Sequence, residues 1–152
     1  MENVDSVASS IKDQLIARIE GLDSVQLVLP SNRLAPSGWP CVFITTSDLD
    51  GEFASSSSNS RVFGYKCVIA FPVGADFLNE AQAERLDFAE RVLNKVLQDI
   101  LNSIETDFEL DGPPTLLYTE ALDCVWGEIS VESGIAQALE VTIRCYTEVE
   151  II

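Results

Sequence analysis

The sequence predicts an α+β fold in which a mostly antiparallel sheet carries two helices packed on one face. Two segments repeat apolar residues every three or four positions, as amphipathic helices do, and several others alternate with a period of two, as strands do. Along the chain these patterns give the order helix, strand, strand, strand, helix, strand, strand. A chain of 152 residues has the length of one domain, so we predict a single α+β domain over residues 1–152.

The two predicted helices cover residues 4–22 and about 79–104. In the second helix one apolar seam continues over its whole length, while acidic and basic residues occupy the other positions. This seam consists of Leu86, Ala89, Leu93, Val96, Ile100 and Ile104. A seam of this length requires a sheet to pack against.

The predicted strands are short at the start of the chain and long at its end. They cover residues 25–29, 41–46, 61–71, 116–131 and 137–151. Fifteen residues of the last strand would extend about 50 Å, so this strand must either bend or reach past its own domain. Gly127 is the position where we expect a bulge or twist in the preceding strand.

A polar segment separates the strands at 41–46 and 61–71. It begins with acidic residues around Gly51 and continues as a serine run, so we predict a long β-hairpin with a flexible loop over residues 47–60. An interdomain linker is the alternative, but both flanks resemble strands of one sheet. Because flexible loops often become ordered on a partner, this segment is our candidate assembly loop or lumen. Its residues are Asp48, Asp50, Glu52, Phe53, Ser55, Ser56, Ser57, Ser58, Asn59 and Ser60.

The charge balance argues against several function classes. The chain has 25 acidic and 9 basic residues, no histidine and a net charge of −16, so phosphate backbones are repelled and specific nucleic-acid binding is not expected. The absence of histidine removes the commonest general base and metal ligand. We therefore predict a protein that is not an enzyme. We also expect it to be soluble and cytosolic, because no apolar window is long enough to span a bilayer.

Three residue patterns are candidates for chemical sites. The acids at 48, 50 and 52 resemble part of a calcium loop, but the later ligands are missing, which favours a solvated turn at Asp50-Gly51 and no metal. A Ser-Lys dyad would need Lys12, Lys66 or Lys95, and none has a serine at a suggestive spacing. A four-cysteine zinc site is the third pattern, yet the cysteines lack a C-x-x-C pair, and we predict buried, reduced thiols. These are Cys41, Cys67, Cys124 and Cys145, and no cofactor is predicted.

The order of these elements resembles the tail terminator, or tail-completion, proteins of long-tailed bacteriophages. The resemblance rests on the opening helix, the proline-flanked segment Gly38-Trp39-Pro40-Cys41-Val42-Phe43-Ile44 and the returning hairpin strand Arg61-Val62-Phe63-Gly64-Tyr65-Lys66-Cys67-Val68. It also includes the long helix after Pro72 and the closing pair of strands. It covers nearly the whole chain without a signature motif.

Such a resemblance implies a subunit of a homo-oligomeric ring, commonly a hexamer, in the virion tail and neck. The ring would be assembled in the host cytoplasm, cap the tail tube, and contact the tube protein and the neck or head-completion proteins. DNA would pass through an acidic lumen without specific binding. Another phage neck or connector component, or a non-enzymatic adaptor that binds a peptide along a strand edge, is the alternative.

Overall fold

The computed structural model describes residues 6–31, 36–53, 58–74, 80–106, 108–110, 115–131 and 134–150. Two helices and five strands form in these ranges. In chain order they are α1 (Val7–Glu20), β1 (Leu27–Leu29), β2 (Cys41–Phe53), β3 (Ser58–Gly74), α2 (Glu80–Thr106), β4 (Thr115–Val131) and β5 (Gly134–Glu150).

All five strands belong to one sheet in the order β1-β2-β3-β5-β4. The short β1 runs parallel to β2, and each of the other neighbouring pairs is antiparallel. The predicted α+β class with a mostly antiparallel sheet is therefore confirmed. The order also places β4 at one border of the sheet.

Both helices pack on the same face of this sheet. Ser6 caps α1 by accepting a hydrogen bond from the Ser9 amide at 3.1 Å, which satisfies one of the free donors at the helix start. Residues spaced three or four positions apart in α1 and in the second half of α2 enter one buried cluster with the inward-facing residues of β2, β3 and β5. From the helices this cluster takes Ile11, Leu15, Ile19, Leu93, Val96, Ile100 and Ile104.

Tyr65 fixes the start of α1 to the centre of the sheet. Its side chain is completely buried, and its hydroxyl donates to the Ala8 carbonyl oxygen at 2.7 Å. Since buried hydroxyl groups are costly unless they are hydrogen-bonded, this contact favours one position of α1 on β3.

On the opposite face of the sheet, the buried cluster contains no helix residue among those that the structure describes, and we call this side the helix-free face. Cys41, Phe43, Ala70 and Ala136 are buried there, because successive strand residues point to opposite faces. Trp39, which precedes β2, is half-buried and packs against this cluster. The sheet therefore has a buried cluster on each of its two faces near the start of β2.

The predicted flexible loop over 47–60 is shorter in the structure. Residues as far as Phe53 pair with β3, so Asp50-Gly51 lies within a strand, opposite Val62 and Arg61, and is not the expected solvated turn. The physical reason is that β5 also holds β3 along its length, from Ser58 to Gly74. Backbone hydrogen bonds to β3 extend β2 through this segment, and such bonds do not depend on the type of side chain. Residues 54–57 lie outside the described residues.

The position of the irregularity in β4 also differs from the prediction. Gly127 pairs with Ala138 in regular register, whereas the register shifts between Leu116 and Tyr118 and again between Leu122 and Val125. Each shift inserts one extra residue into β4 relative to β5, as a β-bulge does. The bulges give the predicted long strand its bends.

Candidate functional site

The predicted candidate residues are divided between two neighbouring strands. Asp48, Asp50, Glu52 and Phe53 belong to β2, and Ser58, Asn59 and Ser60 belong to β3, so the hairpin brings their backbones together. Glu52 pairs with Ser60, and Phe53 pairs with Asn59. Ser55, Ser56 and Ser57 lie outside the described residues. The role of these residues in assembly stays a prediction.

The sequence analysis did not identify the exposed apolar residues of β4, which are four of the six large apolar side chains that are exposed among the described residues. Leu117 and Tyr118 are 52% and 55% exposed, and Val125 and Trp126 are 58% and 40% exposed. One side of Thr115–Val131 pairs with β5, and the other side has no neighbouring strand in the described part of the chain. We call this second side the β4 edge. Its 17 residues include three acids and neither lysine nor arginine. An edge strand of this length with exposed apolar side chains is a ready surface for pairing with another strand.

A second edge lies at the opposite border of the sheet. Within the described part of the chain, β1 pairs only with Cys41, Val42 and Phe43 of β2. The remainder of the strand, residues 44–53, has a described neighbour only on its β3 side. We call the other side of residues 44–53 the β2 edge. Each copy of the chain therefore presents two strand edges.

Near the β4 edge, the helix-free face carries a polar and aromatic cluster. The rings of Tyr118 and Tyr146 stack with centroids 4.3 Å apart, and the Tyr146 hydroxyl donates to Glu120 at 2.9 Å. This hydrogen bond to the Glu120 carboxylate raises the pKa of Tyr146. The contacts hold β4 and β5 together across the helix-free face.

The buried thiols have no feature of a reactive site. Cys41, Cys67 and Cys145 are fully buried, as predicted. The prediction was wrong for Cys124, which is exposed because it lies on the border strand β4. Burial raises the pKa of Cys41 to about 11 and those of Cys67 and Cys145 to about 12, which keeps these thiols protonated and poorly nucleophilic. Among the described residues, no three His, Cys, Asp or Glu side chains converge in a metal-binding group.

The three lysines considered for a Ser-Lys dyad have other partners. Lys12 donates to the Pro30 carbonyl oxygen at 2.8 Å, Lys66 lies 3.7 Å from Glu140, and Lys95 donates to Asp99 at 2.9 Å. An ammonium group paired with a carboxylate or a carbonyl oxygen is a weak candidate for activating a serine.

An open groove of about 800 Å³ lies between the ends of the two helices. On its wall Ser24 donates to Asp99 at 2.7 Å, and the Arg18 guanidinium contacts the Ser103 hydroxyl at 2.7 Å and the Ser103 carbonyl oxygen at 3.2 Å. The hydrogen bonds from Ser24 and Lys95 lower the pKa of Asp99, which makes its carboxylate a poor base. These contacts join α2 to α1 and to the turn that follows α1, and we assign them a structural role.

In the described residues, neither helix is both long enough and apolar enough to cross a membrane.

Comparison with known proteins gives a likeness at the level of the fold. No family model matches the sequence, and no curated protein matches it. Among solved structures, the fold is similar to a chain from the virion of a native gene transfer agent particle, with a TM-score of 0.50 and 12% sequence identity. The match covers 95% of this chain and 96% of that chain. At this identity, the comparison establishes that the same arrangement of helices and strands occurs in a virion chain.

Proposed function

We propose that this chain is a structural protein of a phage-like virion, and specifically a ring-forming tail terminator. In this role it caps the tail tube and joins the tube to the neck or head. Its partners are further copies of itself, the tube protein and the head-completion proteins. Its location is the tail and neck of the particle.

The observation that carries this proposal is the presence of two unlike strand edges on one small sheet. A surface that pairs with a different surface of the next copy generates a ring when the rotation closes. The β4 edge and the β2 edge lie at opposite borders of the sheet, as a head-to-tail assembly requires. The fold likeness to a virion chain over nearly the whole length supports the same conclusion.

The charge of the chain is compatible with a ring around DNA. A net charge of −16 per copy gives a negative field, which keeps a polyanion from adhering to the inner wall. Binding to DNA is therefore not part of the proposed function.

An adaptor that binds one extended peptide is the second candidate, and the exposed apolar residues of the β4 edge favour it. Light scattering separates the two functions, because a hexameric ring has about six times the monomer mass of 16.6 kDa and an adaptor has one or two times that mass.

The decisive experiment combines light scattering with negative-stain electron microscopy of the protein mixed with tail tubes from the same particle. We expect rings in solution or at tube ends, together with a cap that stops tube growth. A protein that remains monomeric or dimeric and leaves the ends and lengths of the tubes unchanged contradicts the proposal.

A further inference from the structure

The strand directions at the two borders of the sheet are opposite. Because β2, β3, β5 and β4 are antiparallel in succession, β4 runs in the direction opposite to β2. If one copy is rotated about an axis parallel to the strands, its β2 edge approaches the β4 edge of its neighbour in antiparallel orientation. No inversion of either copy is needed.

The two edges are also at matching heights in the sheet. Thr45 lies in the same cross-strand row as Leu122, through Lys66 and Thr142. Asp50 follows Thr45 by five residues in β2 and lies in the same cross-strand row as Tyr118, through Val62 and Tyr146. A rotation about the strand direction preserves these heights, so the free part of β2 meets residues 118–122 of the neighbouring β4.

We infer that the β2 edge of one copy pairs antiparallel with the β4 edge of the next, so that one sheet continues around the ring. This inference rests on the proposed ring function and assigns its subunit contact. The occupant of each edge is a second copy, because every copy supplies both edges with opposed direction and equal height. Pairing also removes the exposed Leu117 and Tyr118 from water and satisfies the backbone groups of both edges.

Charge makes this contact dependent on salt. The β4 edge contains Glu120, Asp123 and Glu128, the β2 edge contains Asp48, Asp50 and Glu52, and neither edge contains a basic residue. Electrostatic screening extends over about 10 Å at 0.1 M salt and about 3 Å at 1 M salt, so high salt weakens the repulsion between copies. We therefore expect assembly to increase between 0.1 M and 1 M NaCl.

The pairing can be tested by cross-linking, because Cys124 is an exposed cysteine on β4 whereas Cys41, Cys67 and Cys145 are buried. The substitution Thr45→Cys places a second thiol on β2, about two residues from the position opposite Cys124 of the neighbour. A bismaleimide reagent with a span of roughly 8 Å reaches such diagonal neighbours.

At 1 M NaCl we expect Thr45→Cys to give a ladder of dimers, trimers and larger species. The matched control Glu90→Cys carries an added thiol at an exposed position of α2 and should give no ladder. Wild type should also give no dimer. A wild-type dimer linked through Cys124 would indicate that β4 pairs with β4 and would overturn the inference, as would equal ladders from both variants.

A second experiment changes the edge itself. Leu117→Glu introduces a charge on the β4 edge, and Phe88→Glu makes the same charge change on α2 at a similar exposure, 58% against 52%. We expect Leu117→Glu to raise the concentration needed for half-assembly about tenfold or more and Phe88→Glu to change it less. Circular dichroism checks that both variants are folded.

The outcomes separate this inference from the proposed function. If rings form but Leu117→Glu behaves like Phe88→Glu and Thr45→Cys gives no ladder, the pairing is wrong and the ring function remains. If wild type forms no assembly at either salt concentration, alone or on tail tubes, both are wrong. Assembly that decreases at high salt contradicts the assigned contact, because the facing edges are both acidic.

Discussion

Raising the pH above 9 should destabilise this fold because three thiols are buried and burial disfavours their charged form. Burial raises the pKa values of Cys41, Cys67 and Cys145 from 9.0 to about 11, 12 and 12. A folded-state pKa above the unfolded value means that the folded chain retains protons that the unfolded chain releases. The stability contribution of these thiols is therefore complete below pH 9 and is lost as the pH rises towards 11 to 12.

The expected magnitude follows from the number of protons released. In the window where an unfolded thiol is ionised and the folded thiol is not, each one lowers the free energy of unfolding by about 1.4 kcal/mol per pH unit. Three thiols give about 3 to 4 kcal/mol per unit between roughly pH 9.5 and 10.5. This loss is large compared with a typical domain stability of about 5 to 15 kcal/mol.

Urea unfolding at pH 8.5, 9.5 and 10.5, followed by tryptophan fluorescence under reducing conditions, measures this slope. Cys67→Ala removes one buried thiol and should make the slope shallower by about 1.4 kcal/mol per pH unit. Cys124→Ala is the matched control, because Cys124 is exposed, and it should leave the slope unchanged. Equal slopes for Cys67→Ala and wild type would refute the reasoning.

Further predictions concern the hydrogen bonds, the core, the thiols and the hairpin end. Tyr65→Phe removes the buried bond to Ala8 and should cost about 1 kcal/mol in urea unfolding, whereas Tyr146→Phe should cost less because Tyr146 is only half-buried. Leu15→Ala creates a cavity under α1 and should cost about 2 to 5 kcal/mol, and a smaller loss would mean that α1 is not firmly packed. Ellman's reagent at pH 8 should label one thiol per folded chain and four in urea, and fast labelling of a second thiol without urea would contradict the described burial. Deleting Ser55, Ser56 and Ser57 should leave the circular dichroism spectrum unchanged and impair ring formation, and normal rings would exclude that segment from assembly.

The elements with strong local periodicity were predicted correctly from the sequence. The seam of α2 recurs with the helical period, and Ala89, Leu93, Val96, Ile100 and Ile104 are all buried. The alternation in β5 likewise predicted which residues face the core: Leu139, Val141, Ile143 and Cys145 are buried. Both patterns were visible because burial on one face imposes a period on the side chains of that element alone.

The extent of the hairpin was predicted poorly. Residues 48–53 and 58–60 were predicted to form a loop because acids and serines do not give the apolar alternation of a strand. The structure places them in β2 and β3. Their pairing depends on the end of β5, which pairs with Ser58, Asn59 and Ser60 through Glu150, Val149 and Glu148, 88 to 92 residues away in the chain. A local pattern of side chains does not predict a backbone hydrogen bond between two segments that are far apart in the chain.

The exposed edge of β4 was likewise not predicted from the sequence. The apolar residues of β4 were recognised as strand residues, but not as an exposed edge, because the order of strands in a sheet is not a local property. Leu117, Tyr118, Val125 and Trp126 are exposed in this border strand. The position of β4 at the border of the sheet identifies these residues as surface residues.

The amino-acid sequence by itself determined the class of fold, the two helical seams, the alternating strands and the negative charge, because each depends on the composition or spacing of neighbouring residues. The tertiary structure alone decided the strand order, the position of the bulges and the two opposed edges. These depend on which distant strands share hydrogen bonds, and that choice is made by the whole sheet as it satisfies its backbone groups while burying side chains on both of its faces.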